Sequence, residues 1–171
     1  MVSFLPQAPK VTVQSDASLK GLGFLLTNDV SGGLIGGGRA SFPFDLGGDS
    51  SHQNTCEFIA VVMALVAVAR SGRTGISIRL IGDSTVALKW SKKESWSGEL
   101  SMKAAVVFLL FSVAFDIHVE EAEHILGVHN EPCDDMSRDV SPELVGGPID
   151  RVIEVEGHGV GHSVLRLCDP L

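Results

Sequence analysis

Four acidic positions along the chain have the type and spacing to do chemistry together: Asp16, Glu57, Asp83 and one of the adjacent pair Asp134–Asp135. Carboxylates packed together repel, which raises their pKa values and destabilises a fold. Hard divalent cations remove that repulsion, and all-oxygen ligand sets suit Mg²⁺ or Mn²⁺. Two such ions about 3.5–4 Å apart activate water and stabilise the leaving oxygen of a phosphodiester. Each acid also has an ordinary reading. Asp16 and Asp83 follow apolar stretches and could form turns, while Glu57 and the aspartates of N-E-P-C-D-D-M-S-R could complement helix dipoles. Their joint placement favours a shared site.

The elements that must position these acids follow from hydrophobic period. Val11, Val13 and Ser15 alternate with Thr12 and Gln14, predicting a strand that ends at Asp16. Gly21 to Thr27 and Leu34 to Ser41 predict two more strands, separated by S-L-K-G and N-D-V-S-G-G, so an antiparallel meander opens the fold. Thr55 to Arg70 predicts a helix, apolar on nearly every side and therefore buried, with Glu57 in its first turn. A carboxylate there needs a partner, and no Lys or Arg lies within one turn. Ile76 to Ile81 predicts a strand ending at Gly82-Asp83, Ser84 to Lys93 a short helix, and Glu99 to Phe115 a second buried apolar helix. Ile117 to Leu126 predicts a strand and Pro132 to Asp139 a last short helix. The order β-β-β-α-β-α-α-β-α requires a mixed sheet of five strands, three antiparallel and then parallel ones, flanked by helices. In such a sheet the carboxyl ends of central strands converge on one edge, where ligands bind.

The chain has 171 residues, 44% hydrophobic and 20% charged, which fits one globular domain with a sizeable core. Residues 1–9 read as a lead-in, 10–140 as the domain and 141–171 as a C-terminal extension with strand candidates at Val152 to Val155 and Val164 to Leu167. The extension holds E-G-H-G-V-G-H-S, whose glycines favour a linker over a metal site. No secretory leader is visible, and the apolar runs are shorter than the ~20 residues of a membrane span, so no membrane is expected. Three cysteines without metal-like spacing predict reduced thiols and an intracellular location. A net charge of −8 argues against a strong grip on nucleic acid by this chain alone, since such affinity comes mostly from Lys and Arg meeting phosphates.

Four segments in order, S-D-A-S-L-K-G-L-G-F-L-L, H-Q-N-T-C-E-F-I-A, L-I-G-D-S-T-V-A-L and H-I-L-G-V-H-N-E-P-C-D-D-M-S-R, resemble the ribonuclease H family, and within it the domains attached to retroelement reverse transcriptases. The resemblance runs from about Lys10 to about Asp139. It implies a ribonuclease H-like α/β fold and hydrolysis of the RNA strand of an RNA–DNA hybrid, leaving a 3′-hydroxyl and a 5′-phosphate. It also implies a reverse transcriptase domain as a partner in one polyprotein. The family's last motif has Asn four residues before its catalytic Asp and Arg four after, so Asn130 and Arg138 select Asp134, with Asp135 its helix-start neighbour. The implied site is Asp16, Glu57, Asp83 and Asp134, with two Mg²⁺ or Mn²⁺ ions. Asp16 would bridge both ions, Glu57 and Asp83 would hold one, and Asp134 would help hold the other.

The same resemblance implies substrate contacts at Asn54, where a 2′-hydroxyl can be read, and at Ser18 and Ser84 beside catalytic positions. Turn or cap chemistry is the alternative for all three. His52 matches the retroelement version of its motif, or caps the loop. Of the histidines before the last helix, His129 is the candidate to assist product release, with His124 disfavoured because it sits on the strand. The basic helix that many cellular members use to grip the hybrid is missing. In its place stands K-W-S-K-K-E-S-W, where Lys89 and Trp90 could hold a backbone and stack on a sugar or base. A solvated helix end with one Trp in the core is the competing reading. A degenerate, non-catalytic tether or binding domain is the alternative to the enzyme.

Overall fold

The computed structural model describes residues 10–42, 52–72, 74–92 and 96–138, and the backbone of 152–154. The lead-in, most of the loop before the first helix, Lys93, Asp139, Cys168, the two tail histidines and the Val164 to Leu167 strand candidate lie outside the described residues.

Three strands open the fold: β1 (Lys10–Ala17), β2 (Gly21–Asn28) and β3 (Leu34–Ser41). They pair antiparallel in sequence order, as the Gly-rich breaks between them require. Helix α1 (Gln53–Arg70) then crosses over to β4 (Ile76–Gly82), which pairs parallel with β1. Helices α2 (Thr85–Ser91) and α3 (Glu99–Ala114) lead to β5 (Ile117–His124), parallel to β4. A 3₁₀ turn (Gly127–His129) and helix α4 (Glu131–Ser137) follow. The expected mixed sheet is present, with one addition: β6 (Val152–Glu154), from the segment read as an extension, pairs parallel with β3. The order is β5-β4-β1-β2-β3-β6.

The two sheet faces are different. Val11, Val13, Leu22, Phe24 and Leu26 join α1 in the main core. By length and composition α1 could cross a membrane, yet 78% of it is buried inside the fold, so it is a core helix. The opposite face is shared between α4 and a polar ladder. There Thr12 Oγ1 donates to Asp29 (2.7 Å), Lys10 Nζ to Glu121 (2.6 Å) and Arg79 to Glu123.

Glycine determines where α4 docks. A Cβ on Gly23 would lie 2.5 Å from Met136 Cβ and 2.6 Å from the Cys133 carbonyl oxygen, so only a bare backbone admits the helix. Leu25, Cys133 and Met136 form the small core beneath it. Asp16 pairs in register with Gly23, which puts the strand's carboxylate beside the docked helix.

The expectation of two buried apolar helices holds for α1 and fails for α3. Met102, Val106, Leu110 and Val113 of α3 are exposed, Val113 by 80%. The helix lies at the β5 end of the sheet against α1 and β5, so only its inward side meets the core.

Candidate active site

Asp16 is the last residue but one of β1, and Asp83 directly follows β4; the two strands are parallel neighbours, so both acids fall on one edge of the sheet. Glu57 comes to the same place from α1. That helix begins at Gln53, two residues earlier than expected, and no acid lies in its first turn. Glu57 therefore sits in the second turn, where the dipole reading fails. Oxygens of Asp16, Glu57 and Asp83 lie within 4.8 Å of one another. Asp16 and Glu57 are buried to 4% and 6% exposure, and among the described residues neither is paired with a Lys or Arg.

The electrostatic consequence is large. Burial, then the charges of Asp16 and Asp83, push the Glu57 carboxyl up to about 9, against the pull of hydrogen bonds from Gln53 and the Ala17 amide. Burial pushes Asp16 up to about 7; the Ser137 hydroxyl opposes this, and Asp83 and Asp134 add to it. The charge of Asp134 thus reaches Asp16 from α4.

Asp134 lies outside the 4.8 Å group. Its Oδ1 accepts from Arg138 Nε at 2.8 Å, the pairing that one helical turn permits.

Several residues that hold the cluster were not among the site members expected from the sequence. Asn130, fully buried, donates from Nδ2 to Asp16 Oδ1 (3.2 Å) and to the Ser15 carbonyl (3.0 Å), and its Oδ1 accepts from Gln14 (2.9 Å). Ser137 Oγ donates to Asp16 Oδ2 at 3.0 Å. Gln53 Nε2 donates to Glu57 Oε1 at 2.9 Å. Asn130 and Arg138 had served to choose between two aspartates; the structure gives both direct contacts.

The proposed substrate residues divide. Asn54 and Ser84 approach each other beside Asp83, with Ser84 Oγ 3.4 Å from Asn54 Oδ1. Ser84 also caps α2, accepting from the Ala87 amide at 3.2 Å. Ser18 is turn chemistry: its Oγ accepts from the amides of Lys20 and Gly21 and donates to the Ser137 carbonyl (2.8 Å). His52 stands at the start of α1 and makes no cap bond. Lys89 is exposed. Trp90 is a correction: only 7% exposed, its ring meets Phe58 edge-on at 5.7 Å, so no face is open for a sugar or base. Trp96 also packs against the main core, with its ring nitrogen buried. The Trp90 indole is structural because α2 has Ala87, Leu88 and Trp90 on its inward side.

The two histidines before the last helix stand in different places. His129 is exposed in the 3₁₀ turn, where its carbonyl accepts from Gln14 (3.2 Å). His124, at the end of β5, lies with Nε2 3.0 Å from the Asp83 carbonyl oxygen. Being on the strand is what brings it to the site, since the strand ends at the site's edge.

The donor set suits a divalent cation. It is all oxygen, convergent and partly buried, and it carries a repulsion that positive charge would relieve.

The sequence matches no protein-family model and no curated relative. Solved structures do resemble the fold. RNase H1 from the halophilic archaeon Halobacterium salinarum is 21% identical, with a TM-score of 0.60 over 76% of this chain and 98% of that one. The N-terminal RNase H domain of a Mycobacterium tuberculosis protein is 14% identical, with a TM-score of 0.60 over 77% of this chain and 93% of that one. LC11-RNase H1, solved in complex with an RNA/DNA hybrid, is 16% identical, with a TM-score of 0.59 over 76% and 95%. At these identities the likeness establishes the fold: the chain has the ribonuclease H architecture.

Proposed function

We propose that the protein is a metal-dependent ribonuclease H that cleaves the RNA strand of RNA–DNA hybrids. The observation that supports this most directly is the convergence of Asp16, Glu57 and Asp83 within 4.8 Å at the carboxyl ends of β1 and β4. The fold neighbours add support, one of them a hybrid complex.

Asp16, Glu57, Asp83 and Asp134 would hold two Mg²⁺ or Mn²⁺ ions. Bound there, such ions supply an activated water and stabilise the leaving oxygen of a phosphodiester. The chain's own residues do the rest. Asn130 and Ser137 orient Asp16, Gln53 orients Glu57, and Arg138 engages one oxygen of Asp134. Asn54 and Ser84, side by side near Asp83, would meet a ribose hydroxyl. Attachment to a retroelement reverse transcriptase and an intracellular site belong to this same reading, the first because an acidic domain benefits from a partner that grips the hybrid.

A second reading has a specific observation in its favour. With a net charge of −8, Trp90 in the core and Trp96 packed against it, a non-catalytic ribonuclease H-like tether is the competing function. Cleavage of a labelled hybrid in Mg²⁺ or Mn²⁺ decides between them. Wild type and Asp135→Asn are expected to cut the RNA strand, while Asp83→Asn and Asp134→Asn lose activity by at least about 100-fold. A wild type that fails to cut at low salt and high enzyme concentration, even with a reverse transcriptase domain attached, would select the tether.

A further inference from the structure

Helix α4 does two things at once. It presents Asp134, and its two ends reach back to Asp16 on β1. Asn130, immediately before the helix, donates to Asp16 Oδ1, and Ser137, its last residue, donates to Oδ2 at 3.0 Å. Both donors are buried, Asn130 at 0% and Ser137 at 2% exposure.

Asn130 is anchored independently by Gln14 and the Ser15 carbonyl. Ser137 has a choice. Its single hydroxyl hydrogen lies within reach of Asp16 Oδ2 and of the Asp134 carbonyl at 2.8 Å. An ionised carboxylate is the stronger acceptor, so the hydrogen goes to Asp16 when that group is charged. A carboxylate held at one oxygen can rotate about its Cβ–Cγ bond; one held at both oxygens keeps its plane. Each carboxylate oxygen offers about two lone-pair sites. With one donor on each, one site remains open on each oxygen, which is the disposition required of a carboxylate shared between two cations.

We infer that Ser137 is a positioning residue for the metal centre: it fixes the plane of the Asp16 carboxylate so that both oxygens keep a lone pair for divalent cations. The inference rests on the metal-centre reading above. It also explains why α4 must dock so tightly, since Ser137 meets Asp16 only if the backbone of β2 is bare at Gly23.

The test needs no nucleic acid. Mg²⁺ and Mn²⁺ are titrated separately into wild type, Ser137→Ala and Ser137→Thr, with the rise in Tm and the heat of binding as readouts and the metal-free Tm recorded for each. Ser137→Ala is expected to require about 10–100-fold more cation for the same rise, and Ser137→Thr, which keeps the hydroxyl, to restore wild-type affinity. A purely structural Ser137 would lower the metal-free Tm and leave cation affinity unchanged, which overturns the inference alone. A wild type indifferent to either cation overturns both the inference and the metal-centre reading. If Ser137→Ala does not fold, the pair Ser137→Thr and Ser137→Val, alike in shape and different in the hydroxyl, gives the same comparison.

Discussion

Helices α1 and α3 are both apolar around most of their circumference, yet α1 buries 14 of its 18 residues and α3 only six of its 16. The difference lies in position. α1 crosses the middle of the sheet against β1 and β2 and is covered in turn by α2 and α3. α3 lies outside α1, near the β5 edge, with its Met102, Val106, Leu110 and Val113 side open. Apolar composition therefore says that a helix is able to be buried, and the topology says how much of it is. The same enclosure explains Glu57. The Glu57 carboxylate of α1 is largely removed from water, while the one acid of α3, Glu99, is exposed and paired with Lys103 at 3.1 Å.

Truncations in the two helices should separate inward from outward faces. Phe58 of α1 and Phe108 of α3 are both buried and lie with ring centroids 5.7 Å apart. Replacing either with Ala should lower stability by about 3–5 kcal/mol in denaturant unfolding. The double variant should fall short of the sum by about 0.5–1.5 kcal/mol, the coupling of an aromatic pair. Additive losses would mean that the helices do not share one core.

The next effect concerns the charge that only α1 encloses. Between its usual 4.5 and about 9, folded Glu57 keeps a proton that the unfolded chain has released. Stability of the metal-free protein should therefore fall as pH rises through that window. Asp16 acts in the same direction between 3.8 and about 7. Glu57→Gln should flatten the upper part of the curve, above pH 7, where Asp16 no longer contributes. An unchanged slope there would place the titration elsewhere.

The smallest effect belongs to the open side of α3. Leu110→Ser, at a side chain 64% exposed, should shift stability by no more than about 0.5 kcal/mol. A loss comparable to that of Phe108→Ala would mean that something covers this face in solution.

Most of the fold was legible because strand alternation, glycine breaks and the length of the apolar helices all point the same way. Glu57 was legible as an acid in an apolar run with no cation nearby. The phase of α3 was not, since a helix apolar all round offers no polar stripe to mark its outer side. Trp90 and Trp96 sit among lysines and serines, so composition suggested a surface, while the helical period turns Trp90 onto Phe58. Gln53 and Glu57 are an i, i+4 pair hidden by a helix expected to begin at Thr55, whereas Ser137 meets Asp16 across 121 positions, a distance no local pattern spans. β6 was read as a strand candidate, and its pairing with β3 depends on an edge that only the assembled sheet reveals.

The span between Asp16 and its donors also has a meaning in time. Asp16 leaves the ribosome with the first strand, and Asn130 and Ser137 follow 114 and 121 residues later. At about 5–20 residues per second, synthesis leaves an interval of roughly 6–24 s between them. Throughout it β1 has no α4 to dock against, and the carboxylate has neither of its hydrogen-bond donors. Any cleavage activity of a nascent chain would therefore wait until the last helix of the site emerged.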